Sequence, residues 1–221
     1  MKFDVLTLFP EMFEPIKQSI IGKAVEKKLI DINLINIRDF SKDKHKKVDD
    51  TPYGGGAGMV MRPDVVYDAY QSVKEERAKV IYMSPQGKTL NQQIVEDLSK
   101  ESHLIILCGH YEGIDQRVLD KIVNEEISIG DYVLTGGEIP AMVLIDSVSR
   151  YIEGVLKQDS IQEESFCMRT FRVSTIYETW NIRRRSSSRN FVIRTSCKYR
   201  KVAKRKIFRN NKKEKTRFIK K

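Results

Sequence analysis

No stretch of this 221-residue sequence approaches the roughly 20 consecutive apolar residues that a membrane-spanning helix needs. Residues 1–13, MKFDVLTLFPEMF, also lack the basic patch and apolar run of a secretory leader. A cytoplasmic protein with no membrane attachment is expected. Cysteine is scarce: Cys108, Cys167 and Cys197 have neither the density of a disulfide framework nor the paired spacing of a zinc site, which fits a reducing compartment. The three histidines, His45, His103 and His110, lie in unrelated contexts, so no metal centre and no Ser/His/Asp arrangement is expected. Two phosphate-cradling signatures are missing as well. No GxGxxG opens a helix ahead of an acidic residue ~20 positions on, and no GxxxxGK[ST] loop occurs. Dinucleotide and nucleoside triphosphate chemistry therefore fall behind.

Acidic residues are nearly absent from one part of the chain only. Residues 167–221 carry 20 Lys and Arg against Glu178 and Glu214, while residues 1–166 hold 20 basic and 28 acidic side chains. The formal charge of +10 thus belongs entirely to the tail. It is not, by itself, a sign that the body binds nucleic acid.

What the body does have is a repeated alternation. Residues 3–8 and 30–37 alternate as strands do, with a helical stretch at 12–28 between them. After a charged run, PYGGGAGMVM at 52–61 is too rich in glycine for a regular element and reads as a ligand-ordered loop. A helix at 63–76 precedes a strand at 79–83 that runs into SPQG at 84–87, and 91–99 reads as helix. The apolar run 104–108 fits a strand buried on both faces of a parallel sheet. It ends in GHYEGID at 109–115, followed by a helix at 116–123 and then SIGDYVLTGGEIPAM from Ser128 onward. Strand, glycine loop and helix recur three times, which argues for an α/β domain whose strand-end loops build the ligand site. From residue 167 no period is sustained.

LTLFPEMF, PYGGGAGM, SPQG, CGHYEGID and SIGDYVLTGGE stand in the order and spacing of the bacterial tRNA (guanine-N1)-methyltransferases, which residues 1–166 resemble almost without interruption. The resemblance implies a knotted, parallel-sheet α/β methyltransferase domain of the SPOUT type over 1–166. It also implies a homodimer, tRNA as partner, S-adenosylmethionine as cofactor and a requirement for magnesium. The reaction implied is methylation at N1 of the guanosine just 3′ of the anticodon. Tyr82, Ser84, Pro85, Gly109, Tyr111, Glu112, Gly113, Ile129, Gly130, Tyr132, Leu134, Gly136, Gly137 and Pro140 would line the cofactor pocket. Glycine suits a site where backbone must approach a ligand closely, although the same glycines also make tight turns and the tyrosines also pack. Asp49, Asp50, Tyr53, Gly54 and Gly55 would belong to the loop that holds the anticodon region. Lys42, Lys44, Lys46 and Lys47 beside it either meet phosphates or form a solvated face.

Guanine N1 keeps its proton at neutral pH, so methylation there calls for a base and a cation beside the charge that develops on O6. In the family an aspartate before a Ser-Phe pair is the proposed base. Here Glu164 precedes Ser165 and Phe166, a carboxylate with one more methylene. Arg150 matches the arginine placed near the guanine. The alternatives are a solvated carboxylate in the run QEES and a surface cation after an apolar helix.

The family's linker EYPQYTRP and its helical C-terminal domain, with a Ser-Gly-(His or Asn)-His segment, are both missing. Yet codons can be chosen for residues 169–180 and 193–204 that, read one base later, spell GPLEYPQYTRP and SGHHANIEKWR. Both segments return in the same frame. Residues 167–221 are therefore expected to be an out-of-frame, disordered tail unable to form the family's helical domain. The chain could then be an inactive product or an RNA-binding scaffold. The competing reading is a genuine basic arm for RNA, and a knotted methyltransferase acting on another RNA is the nearest enzymatic rival.

Overall fold

In a computed structural model, the residues described are 1–156, together with a short antiparallel pair, Asn181–Ile182 with Arg185–Ser186, that belongs to a separate unit. The first unit is built on a five-stranded sheet. Its strands are β1 (Lys2–Thr7), β2 (Asp31–Asn36), β5 (Lys79–Thr89), β6 (His103–Cys108) and β7 (Glu125–Ser128), with β3 (Asp49–Asp50) and β4 (Val60–Met61) forming a ladder apart. Strand order is β2-β1-β6-β5-β7, and every neighbouring pair runs parallel. Helices α1 (Ser19–Glu26), α2 (Pro63–Val73), α3 (Gln92–Leu98), α4 (Gln116–Ile122) and α5 (Glu138–Ser149) cover the sheet.

The central strand explains the apolar run. All six residues of β6 are buried, and their period of two sends them into different cores. Leu104, Ile106 and Cys108 pack with Phe3, Val5, Ile81 and Met83 against α1, α3 and α5. Ile105 and Leu107 pack with Leu6, Val80 and Tyr82 against Val65, Val66 and Ala69 of α2 and Val118, Leu119 and Ile122 of α4. Each fully buried Leu or Ile contributes about 1.5–3 kcal/mol by leaving water. At the amino ends of the strands, buried Asp4 is held by Asn33 at 3.0 Å, His103 at 2.7 Å and Lys2 at 3.0 Å.

Four expectations need correction. The helical stretch at 12–28 is a 3₁₀ helix, Pro10–Lys17, followed by α1. Pro15 offers no N–H to an α-helical ladder, Gln18 is extended, and Ser19 is left-handed at φ 59°. Gly22 then lets the two pieces close up, since a Cβ there would lie 1.9 Å from the Lys17 carbonyl. The helix starting at Pro63 ends at Val73, three residues early. SPQG does not end its strand: β5 pairs with β7 on either side of it, with the register jumping between Met83 and Lys88, so 84–87 form a bulge. The glycine-rich segment lacks helix and strand over 52–59, but its last two residues, Val60–Met61, form β4, which pairs with β3 and pinches the base of the loop.

Candidate functional site at the carboxyl ends of three strands

The bulge of β5, the loop after β6 and the loop after β7 meet around one half-open cavity of about 200 Å³. That is far more than a water needs. All fourteen residues expected around a cofactor line this cavity, joined by Met83, His110, Ile127, Ser128, Val133 and Thr135. Glycine is required at its closest approaches. A Cβ on Gly137 would lie 2.8 Å from Cys108 Cα and 2.9 Å from the Gly109 nitrogen, both backbone atoms that cannot swing away. The Gly137 N–H instead donates to the Gly109 carbonyl at 2.9 Å. Gly113 takes φ 136°, a conformation that other residues rarely adopt. Ser128 Oγ ties the third loop by donating to the Gly130 carbonyl at 2.9 Å.

The walls are chemically quiet. Burial, then the nearby Glu126 and Cys108, push the Tyr82 phenol up to about 12. The fully buried Cys108 thiol is also driven well above its ordinary value, first by desolvation and then by Glu138. Both stay neutral at physiological pH, so neither serves as a base or a thiolate nucleophile.

Beside the pocket lies a network that sequence reasoning missed. Glu138, 1% exposed at the first position of α5, accepts a hydrogen bond from the Thr7 hydroxyl at 2.7 Å and pairs with His110 Nε2 at 2.8 Å. The helix N-terminus favours a carboxylate there. Leaving this buried group without one of its partners would cost about 1–3 kcal/mol. The partners lie 131 and 28 residues away in sequence. The only local signal was an acidic residue opening a helix after Gly136-Gly137.

The residues assigned to substrate fall elsewhere. Asp49 and Asp50 form β3, and Tyr53, Gly54 and Gly55 sit at an exposed loop tip outside the cavity lining. The base of that loop is nonetheless sewn to the pocket. Glu112 N–H donates to the Met59 carbonyl at 3.0 Å and Met61 N–H to the Gly113 carbonyl at 2.9 Å, while Gly58 leaves room for the Glu112 side chain. Of the lysines nearby, Lys42 pairs with Asp68 at 3.0 Å, Lys46 with Asp39 at 2.8 Å and Lys47 with Asp50 at 3.4 Å. Arg150 caps the far end of α5 and does not line the cavity. Glu164 lies outside the described residues. Among the described residues no group of three or more His, Cys, Asp or Glu side chains is placed to hold a metal ion.

An open parallel sheet clothed by helices, with a ligand-sized pocket of close backbone at the carboxyl ends of its strands, defines an α/β domain that binds a small organic ligand or cofactor there. The particular family follows from sequence comparison: the profile described as tRNA (Guanine-1)-methyltransferase TrmD matches residues 1–217, and the chain belongs to that family. Proteins named tRNA (guanine-N(1)-)-methyltransferase are similar to it. The one from Ruminiclostridium cellulolyticum is 62% identical over 170 residues, 75% of this chain and 73% of its own. Those from Alkaliphilus oremlandii and Clostridioides difficile are 61% and 55% identical over 172 residues, covering 73% and 75% of this chain and 69% and 74% of theirs.

Proposed function

We propose that this chain is built to transfer a methyl group from S-adenosylmethionine to N1 of the guanosine just 3′ of the anticodon, position 37 of tRNA, acting in the cytoplasm. The observation that carries the reading is the convergence of fourteen family-matched cofactor residues on one cavity, in a chain that belongs to the family. The cavity suits the cofactor because its glycines bring donors and acceptors of the main chain within reach of an adenosine moiety, while Ile129, Leu134 and Pro140 offer apolar walls. The bound cofactor supplies an electrophilic methyl on a positively charged sulfur. Glu112, the carboxylate in the lining, complements that charge, and the neutral Tyr82 and Cys108 do not compete for the methyl. Proton removal from N1 falls to Glu164, with Arg150 stabilising the charge on O6.

Calorimetry on the full chain tests the cofactor site. One saturable S-adenosylmethionine site per protomer is expected, and Gly137→Val should weaken it about 5- to 150-fold, as overpacking of about 1–3 kcal/mol implies. Unchanged binding by the variant would remove the pocket from consideration.

The homodimer has support of its own. Ile139 and Val143 remain 45% and 42% exposed on a helix whose other face is core, and two large apolar side chains one turn apart on the outer face favour cover by a second surface. Arg150 shares that outer face, eleven residues and so just over three full turns beyond Ile139. Twofold pairing through α5 would carry each Arg150 towards the pocket end of the partner's α5.

For residues 167–221 we propose a change of reading frame. The curated relatives align over about three quarters of this chain, the length that precedes the change in composition, although the family profile extends to residue 217. The DNA around codons 166–169 decides the matter. Codons that spell EYPQYTRP and SGHHANI in the shifted frame are expected; an intact frame without them would restore the basic-arm reading.

A further inference from the structure

The buried Glu138 network also fixes a strip of side chains that begins outside the pocket lining. Thr7 Oγ1, which donates to Glu138, accepts the Phe9 N–H at 3.0 Å. Phe9 and His110 follow the adjacent strands β1 and β6, so one carboxylate anchors both. Their ring centroids are 4.8 Å apart and inclined by 58°. Tyr111 follows edge-on to His110 at 6.3 Å, held at the unusual φ of 59°. The Arg38 guanidinium lies 5.9 Å over the Phe9 ring. Phe9 is 38% exposed and Tyr111 46%. Lys42, Lys46 and Lys47 are held by carboxylates, whereas Arg38 has no carboxylate partner among the described residues.

A partly exposed aromatic ring, set against a second ring on a rigid anchor and accompanied by a planar cation, matches the chemistry of an unstacked nucleobase and its phosphate. A purely apolar protein partner would gain nothing from the guanidinium. His110 and Tyr111 line the cavity and Phe9 and Arg38 do not, so a base on Phe9 neighbours the methylation site without filling it. We propose that Phe9, His110 and Arg38 form a stacking platform for the unpaired base adjacent to the guanosine that is methylated. This rests on the tRNA-methyltransferase reading of the pocket.

The test uses the full chain, S-adenosylmethionine and an anticodon stem-loop with 2-aminopurine placed singly 5′ or 3′ of the target guanosine. Stacking on a ring quenches its emission. Quenching is expected at one of the two positions. Phe9→Leu should abolish it and weaken hairpin binding about 5- to 150-fold, with cofactor affinity unchanged, and Phe9→Trp should restore it. The basic tail is common to all variants, so its attraction for RNA does not produce the difference. Should Phe9→Leu fail to fold, Arg38→Ala must still reduce the quench. Equal quenching in wild type and Phe9→Leu, or a hairpin that binds wild type with no quench, overturns the platform. A change of sedimentation in Phe9→Leu would assign Phe9 to a contact between copies and overturn it too. A wild-type chain that binds neither cofactor nor hairpin refutes the methyltransferase reading instead.

Discussion

A purified heterodimer of one Arg150→Ala protomer and one Gly137→Val protomer should methylate tRNA at about half the rate of the unaltered dimer, although each variant alone should be nearly inactive. The reason is the length of α5. Glu138, bonded to His110 at the pocket, opens this 12-residue helix, and Arg150 caps its far end. At ~1.5 Å per residue the two ends are roughly 18 Å apart, beyond the reach of an arginine side chain. In the twofold pairing proposed above, Arg150 would act at the partner's pocket. In an isologous pair the heterodimer holds one site with an intact pocket and an intact arginine, and one with neither. Adding Ile139→Asp and Val143→Asp to both protomers should abolish the recovery by separating them. A heterodimer as inactive as its parents would show that Arg150 works within its own protomer; an Arg150→Ala homodimer of normal rate would show that it has no role.

Glu164→Gln should lower the methylation rate by about 10² to 10⁴ while S-adenosylmethionine affinity barely changes, in a chain whose linker has been restored to the family's frame. The amide keeps the size of the side chain and removes its capacity to take the N1 proton. Glu164 stands near the end of the matched body, just before the place of the linker that this chain lacks. The longer side chain, compared with the family's aspartate, makes Glu164→Asp informative: a rise in rate would show that the extra methylene misplaces the carboxylate. Near-normal turnover by the glutamine variant would leave Glu164 as a residue of a solvated run.

How much of this was legible beforehand depended on the range of the interaction involved. The strand at 104–108 was plain because a fully buried strand is apolar at every position, and the helix read from Gln116 does begin there, where the structure adds an Asp115 side chain accepting the Arg117 N–H. The glycine loops were visible for the same local reason. Short-range failures came from backbone restrictions that periodicity ignores: Pro15 and left-handed Ser19 split a stretch whose apolar spacing looked like one helix, and the β5 bulge resembled a strand end. The Thr7–Glu138–His110 network could not be read, because nothing local marks a threonine as the partner of a glutamate 131 residues on. The knot expected from the resemblance is likewise a property of how the chain is threaded, which no local pattern encodes.

The pairing of three lysines beside the glycine loop has a thermodynamic consequence for RNA. A phosphate that displaces Asp68, Asp39 or Asp50 from Lys42, Lys46 or Lys47 exchanges one anion for another. The expelled carboxylate must then regain small cations from solution, offsetting those the RNA gives up. Condensed counterions are thus released with little net gain, and the entropic drive behind sequence-blind adhesion is muted. The body, with more acidic than basic side chains, is poorly suited to gathering RNA indiscriminately. The charge that would favour such adhesion lies in the basic residues beyond 166.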